Sequence, residues 1–293
     1  MKWCVQEPKL PTRHRFKPLV NYCPGEGLPA YICCKIILLK TPVLLGLLTW
    51  IFAVFASPLQ AQNSRSNEYN QIGWYGLFMN FRLDDKWSVH AETQIRRTDW
   101  VASPQQNLYR VGINFKFHPQ VTFRTGYAFA DTFNYGEQPI QSNGIRFPEH
   151  RLYQMLLISN PLGKVGLSHR LMLEQRWVGR STDPKATKYD EWVYFNRMRY
   201  MIRADVPLKG PSLENKEPYL AVYDEILIGF GKKINQNVFD QNRFAMVGGF
   251  RFSGNYRLEA GYFSQILQFG RLVDGKNHFQ YNRGIVFSNF VNF

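Results

Sequence analysis

From about residue 70 to the last residue, apolar and polar side chains take turns one by one, in segments of about ten to fourteen residues. WSVHAETQIR, residues 87–96, is the clearest: Trp87, Val89, Ala91, Thr93 and Ile95 face one way, and Ser88, His90, Glu92, Gln94 and Arg96 the other. LYRVGINFKF (108–117) and VTFRTGYAFA (121–130) repeat the pattern. Only a β-strand sends successive side chains to opposite faces, and no segment carries a convincing helical period. Two segments, LYQMLLIS (152–159) and YLAVYDEILIGF (219–230), alternate poorly, so their facing stays open.

Alternation alone fits a soluble sandwich or a membrane barrel. Composition separates them. Phe, Trp and Tyr make up 16% of the chain, yet mean hydropathy is −0.33, because one-by-one alternation cancels in any average. The apolar face carries large aromatics in nearly every segment, while the opposite face carries Arg, Glu and Gln. A sandwich would need short strands and a polar outer face. In lipid, only a closed barrel satisfies the backbone of such strands. The fold class expected is therefore all-β, a transmembrane antiparallel up-and-down β-barrel. Tight connections (DDK 84–86, HPQ 118–120, NPLG 160–163, SGN 253–255) alternate with longer polar ones near 97–106, 131–148, 178–190, 231–238 and 268–277. Short periplasmic turns and long extracellular loops alternate in this way.

Eleven segments are legible, from about 71–83 to 277–293. Bacterial single-chain barrels normally have an even count, so the expectation is about 12 strands, with 10 as the alternative. A tail at 62–70 threading up the lumen would also reconcile the count. The final segment, GIVFSNFVNF, reads as the closing strand, whose edge must zip to the first.

TPVLLGLLTWIFAVFA (41–56) follows Lys35 and Lys40 and precedes SPLQAQ. Positive flank, short apolar core and small-residue exit form the secretory pattern. Residues 35–61 are thus expected to be a signal peptide cleaved after Ala61, a retained anchor being the alternative. Residues 1–34, which hold all four cysteines, read as a non-native upstream extension, and 62–293 as the barrel. The body has no cysteine from which to build a disulfide framework or zinc site.

The net charge is +14, with pI near 9.7. Arg residues are dispersed singly at alternate positions rather than gathered in runs, which argues against nucleic acid. They point instead to a polar interior. The expected lumen network comprises Glu92, Arg96, Arg170, Glu174, Arg176, Arg197, Arg199, Glu225, Arg243, Arg257 and Glu259, with Arg110, Arg124, Arg203 and Arg251 on the same faces. Each buried guanidinium needs a carboxylate or carbonyl. Glu174, Glu225 and Glu259 are the natural partners, and the surplus Arg leaves the lumen electropositive. Trp74, Tyr75, Trp87, Trp100, Trp177, Trp192 and Tyr256, at segment ends, suit interfacial girdles.

Catalytic apparatus is harder to find. Ser88 and His90 sit two apart on one face, about 7 Å by strand rise, too far for a direct bond. Ser168 and His169 are adjacent and so face opposite ways. Asp131, Asp190 with Glu191, and Asp240 are rim acids of the kind a protease barrel uses, but nothing in the spacing says which would meet. The acids at 224–226 and 240 lack calcium-loop spacing. No catalytic residue, metal or cofactor is expected.

SHRLMLEQRW (168–177), RMRYMIR (197–203), AVYDEILI (221–228) and FDQNRFAMVGGFRFSGNYRLEAGYFSQ (239–265) resemble a Bacteroidetes-type family of outer-membrane barrels known as a domain of unknown function, number 2490. The resemblance covers roughly 70–293. It implies a fold and a bacterial outer-membrane location, with no activity to transfer. The ending at Phe293 also resembles the C-terminal signal that barrel-assembly machinery reads. The expected role is a structural or assembly component, or a narrow pore. Expected partners are outer-membrane lipid and lipopolysaccharide, the assembly machinery, and a further protein of a larger outer-membrane assembly. An outer-membrane lipid-modifying enzyme, hydrolase or acyltransferase, is the alternative.

Overall fold

The structure, a computed structural model, describes residues 64–293 except 182 and 184. The signal peptide expected at 35–61 and the upstream extension expected at 1–34 lie outside the described residues.

Eleven strands form one closed barrel: β1 (Arg65–Arg82), β2 (Trp87–Thr98), β3 (Ser103–His118), β4 (Val121–Thr132), β5 (Phe147–Leu162), β6 (Val165–Arg180), β7 (Glu191–Pro207), β8 (Glu217–Phe230), β9 (Phe239–Arg251), β10 (Tyr256–Val273) and β11 (Lys276–Asn292). Every sequential pair is antiparallel. The barrel class holds, with eleven strands in place of twelve or ten. The reason is geometric: in an up-and-down meander, an odd count makes the first and last strands run the same way. β1 and β11 therefore close the barrel in parallel, from Arg65↔Asn277 to Asn80↔Asn292. Residues 65–70 are wall, not a tail in the lumen.

The parallel seam keeps an offset of 212 residues, so like groups meet like. Phe78 stacks on Phe290 and Phe81 on Phe293, each with ring centroids 4.8 Å apart. The Asn70 side-chain amide donates to Asn282, and that of Asn80 to Asn292. The Phe293 amide donates to Asn80 O, and the Arg82 amide to Phe293 O. Phe293 thus completes the edge it closes.

Polar faces point inward. On β3, Leu108, Arg110 and Asn114 are buried, whereas Tyr109, Val111 and Ile113 are about half exposed, at 49–51%. The two blurred segments now have a facing: Tyr153 and Met155 of β5, and Tyr219, Ala221, Glu225 and Leu227 of β8, point inward. Both strands put large apolar groups on both faces, which erases the alternation.

The connections at one end span 83–86, 119–120, 163–164, 208–216 and 252–255; those at the other span 99–102, 133–146, 181–190, 231–238 and 274–275. Three depart from expectation: the connection expected near 97–106 shrinks to 99–102, and two others differ more. The stretch 268–277 is nearly all strand, closed by Asp274-Gly275 with φ of 49° and 73°, the pairing a two-residue type I′ hairpin demands. The stretch 208–216 is the longest connection at the short-turn end. In the first turn, the Lys86 and Trp87 amides both donate to Asp84 Oδ1 at 2.7 Å, holding its carboxyl below the usual range.

Candidate functional site: the charged lumen

Period-two spacing on β6 and β7 aims Arg170, Glu174, Arg176, Arg197, Arg199 and Arg203 into the lumen. Register places Glu174 directly opposite Arg197. Arg197 donates to Glu174 at 2.7 Å through Nε and to Asp240 of β9 at 2.7 Å through Nη1. Arg199 donates to Glu225 at 2.8 Å and to Glu174 at 3.1 Å. Glu225 also takes Arg170 at 2.8 Å and Arg243 at 3.4 Å. All but Arg170 among these groups are at least nine-tenths buried. Desolvating so many charges is offset only where each has its counter-ion and hydrogen bonds.

Smaller clusters flank this one. Arg110 donates to Glu92 at 2.7 Å, with His90 Nε2 3.2 Å from the same carboxylate. Toward the short turns, Arg203 bridges Glu259 and Asp205, and Tyr219 donates to Glu259 at 2.7 Å. Tyr219 lies against Gly249, where a Cβ would fall 2.2 Å from its ring. Arg257 faces the lumen over the Phe290 ring at 4.3 Å rather than meeting an acid. Arg176 and Arg151 share Glu149. Sequence reading missed Glu149, although Phe147, Glu149 and Arg151 carry the period-two signal just ahead of the blurred stretch.

Arg96 and Arg243 differ from the rest. Arg96 donates to Gln94 Oε1 at 2.7 Å and Gln106 Oε1 at 2.6 Å, and Arg243 to Gln241 Oε1 at 2.7 Å. Arg96 meets no carboxylate, and Arg243 only the edge of Glu225. Both lie on the Trp74 ring, at 3.8 and 5.1 Å from its centroid, although β2 and β9 are separated by three strands. Trp74 is 7% exposed and donates its indole N–H to Gln105 at 2.8 Å. Groups from opposite walls thus meet in the middle of the lumen.

This layer separates two cavities. The upper, ≈ 310 Å³, lies among the 133–146 and 231–238 loops; the lower, ≈ 460 Å³, lies toward the short turns. Seven Arg and two acids line the upper, and eight Arg and four acids the lower. Such walls favour an anion. No cluster of metal-ligating residues occurs among the described residues.

The Ser and His pairs that the sequence sets side by side, from which no catalysis is expected, have other partners. Ser88 accepts from Asn114, and His90 contacts Asn80 and Glu92. Ser168 lines the lower cavity, while His169 points outward to the Tyr200 hydroxyl at 2.8 Å. Asp131 pairs with Arg146, and Asp240 with Arg197. A different file does form across the seam: Ser66 Oγ is 2.9 Å from His278 Nδ1, and His278 Nε2 is 3.2 Å from Glu68. Sequence reading passed over it because Ser66 fell in the presumed tail. Glu68 also accepts from the amides of Glu137 and Gln138, so it pins the 133–146 loop. None of the three lines either cavity.

The family model for a protein of unknown function, DUF2490, matches residues 71–272, from β1 into β10. The chain belongs to the DUF2490 family. The match takes in every strand that builds the mid-lumen layer, including Trp74, Arg96, Glu174, Glu225 and Arg243. Among curated proteins none matches this DUF2490 chain.

Proposed function

We propose that this DUF2490 protein is an integral β-barrel of a Gram-negative outer membrane, with a lumen that accepts an anion but is closed at mid-height. The carrying observation is the inversion of the usual globular arrangement: half-exposed Tyr, Val, Ile and Leu cover the outside, and buried Arg and Glu fill the inside. Lipid is the solvent that suits such an exterior. Several outward polar groups are paired with one another, which lowers their cost in hydrocarbon. Gln154 and Gln175 exchange amide hydrogen bonds at 3.2 and 3.1 Å, and Asn242 donates to Asp224 at 3.0 Å. Lipid and lipopolysaccharide are then the barrel's surroundings, and the Phe293 strand is the edge assembly machinery would zip shut. The long 133–146 and 181–190 loops would face outward from the cell.

An open pore does not fit a lumen whose central Arg197 and Glu174 are at most 1% exposed. The Ser66–His278–Glu68 file lines neither cavity and so lends an enzymatic role no support. Membrane fractionation and planar-bilayer recording test this reading together. The chain is expected in the outer-membrane fraction, and the refolded barrel is expected to give no steady conductance. Trp74→Ala is expected to admit small anion-selective steps. A soluble chain, or large unselective steps from the unaltered barrel, would overturn the proposal.

A further inference from the structure

We infer that the upper cavity is a binding site for a small organic anion: one phosphate or carboxylate head on the Arg96–Arg243 pair, with an apolar body against Phe147, Val178 and Phe195. The inference deepens the anion-accepting lumen proposed above and rests on it.

The floor supplies the head-group chemistry. Arg96 and Arg243 are 6% exposed, both line the cavity, and both lie on the Trp74 ring. Their hydrogen bonds run chiefly to neutral amide oxygens, so their charge is held in place without being cancelled. The cavity's two acids are already taken. Glu149 serves Arg151 and Arg176, and Asp240 serves Arg197. An arriving anion is therefore the counter-ion that Arg96 lacks and that Arg243 shares only at 3.4 Å with Glu225, in a site of low dielectric where a charge-assisted bond is strong. Planar guanidinium forks suit phosphate and carboxylate alike.

The walls supply the rest. Phe147, Val178 and Phe195 form a buried apolar cluster, with Ile140 and Ile234 of the long loops packed against it. A bare inorganic anion would leave that wall in contact with water. At ≈ 310 Å³, the cavity is at the small end of ligand pockets, the size of a ring or short chain with its head group. Near the mouth, Arg271 donates to Pro139 O at 2.6 Å, while its buried Nε has no partner. A third cation thus stands where an anion would enter.

The lower cavity is the weaker candidate. Its Glu92, Glu225, Glu259 and Asp205 are interleaved with its Arg residues and already paired.

Phenyl phosphate is a suitable probe. Isothermal titration into the refolded full barrel in detergent is expected to show one site. Arg96→Gln and Arg243→Gln should each weaken it tenfold or more, and Arg96→Lys should weaken it less. Arg257→Gln, in the lower cavity, should leave it unchanged. Inorganic phosphate, lacking the body, and benzyl alcohol, lacking the charge, should each bind at least tenfold more weakly. Heat-modifiable gel mobility shows whether each variant is folded. The site is overturned if the folded wild type binds no phenyl phosphate at millimolar concentration, or if both Gln variants bind as wild type does. Equal affinity for inorganic phosphate or benzyl alcohol would overturn it too. Membrane insertion and conductance are read without the probe, so a barrel that inserts and stays silent yet binds nothing overturns this site alone.

Discussion

The two sides of the lumen solve the same problem differently. On β6–β9, buried cations meet carboxylates: Arg197 and Arg199 share Glu174, and Glu225 collects Arg170, Arg199 and Arg243. On β10, β11, β1 and β2, amides dominate. Gln265 donates to Gln241, Asn282 to Gln265, Asn70 to Asn282, and Arg96 is met by Gln94 and Gln106. The first side cancels charge and so locks the wall. The second orients polar groups while leaving the Arg96 cation uncancelled. A network of the first kind stiffens a barrel, and one of the second keeps a charge available.

Removing a shared carboxylate should break the first side outright. Glu174→Ala leaves Arg197 and Arg199 buried with one acid each. Truncating one partner of a buried pair costs about 3–5 kcal/mol. Urea titration of the refolded barrel is expected to show a loss in that range, larger than for Gln265→Leu or Arg96→Gln. A loss below about 1 kcal/mol would mean that the cluster is wetter than its burial implies.

On the compensated side, β6 and β7 are legible in the sequence. SHRLMLEQRW and FNRMRYMIRA alternate cleanly, so Glu174, Arg197 and Arg199 are placed on one face by counting in twos. Their pairing needs only that β6 and β7 be neighbours. What stayed hidden depends on cross-barrel geometry or on apolar groups facing inward. Tyr153 and Met155 blurred β5, and Leu227 inside with Asp224 outside blurred β8. The meeting of Arg96 and Arg243 on Trp74 joins residues 147 apart, and no local pattern encodes it. The strand count was read correctly as eleven segments. An even-number rule then argued it up to twelve, although a parallel seam permits an odd count.

On the amide side, a neutral bond is at stake. Gln265→Leu removes the donor to Gln241 and the acceptor for Asn282, with little change in volume. Net losses near 1 kcal/mol follow from a neutral hydrogen bond. The same urea titration should place this variant between wild type and Glu174→Ala. A loss as large as that of Glu174→Ala would erase the distinction between the two sides.

Arg96→Gln should change stability least, and its sign is the informative part. Replacing a paired arginine leaves a buried acid exposed to its own field, but Arg96 has no acid to leave behind. The substitution removes a desolvated cation and keeps an amide that can still reach Gln94 or Gln106. A buried charge without a counter-ion is a net cost to folding, so the unfolding free energy should stay within about 0.5 kcal/mol of wild type or rise above it. Stability would then be unmoved while binding of phenyl phosphate falls, the separation expected of a group held for function at the fold's expense. If Arg96→Gln instead destabilises the barrel as Glu174→Ala does, Arg96 is a structural cation like its counterparts on β7, and the two sides of the lumen work alike.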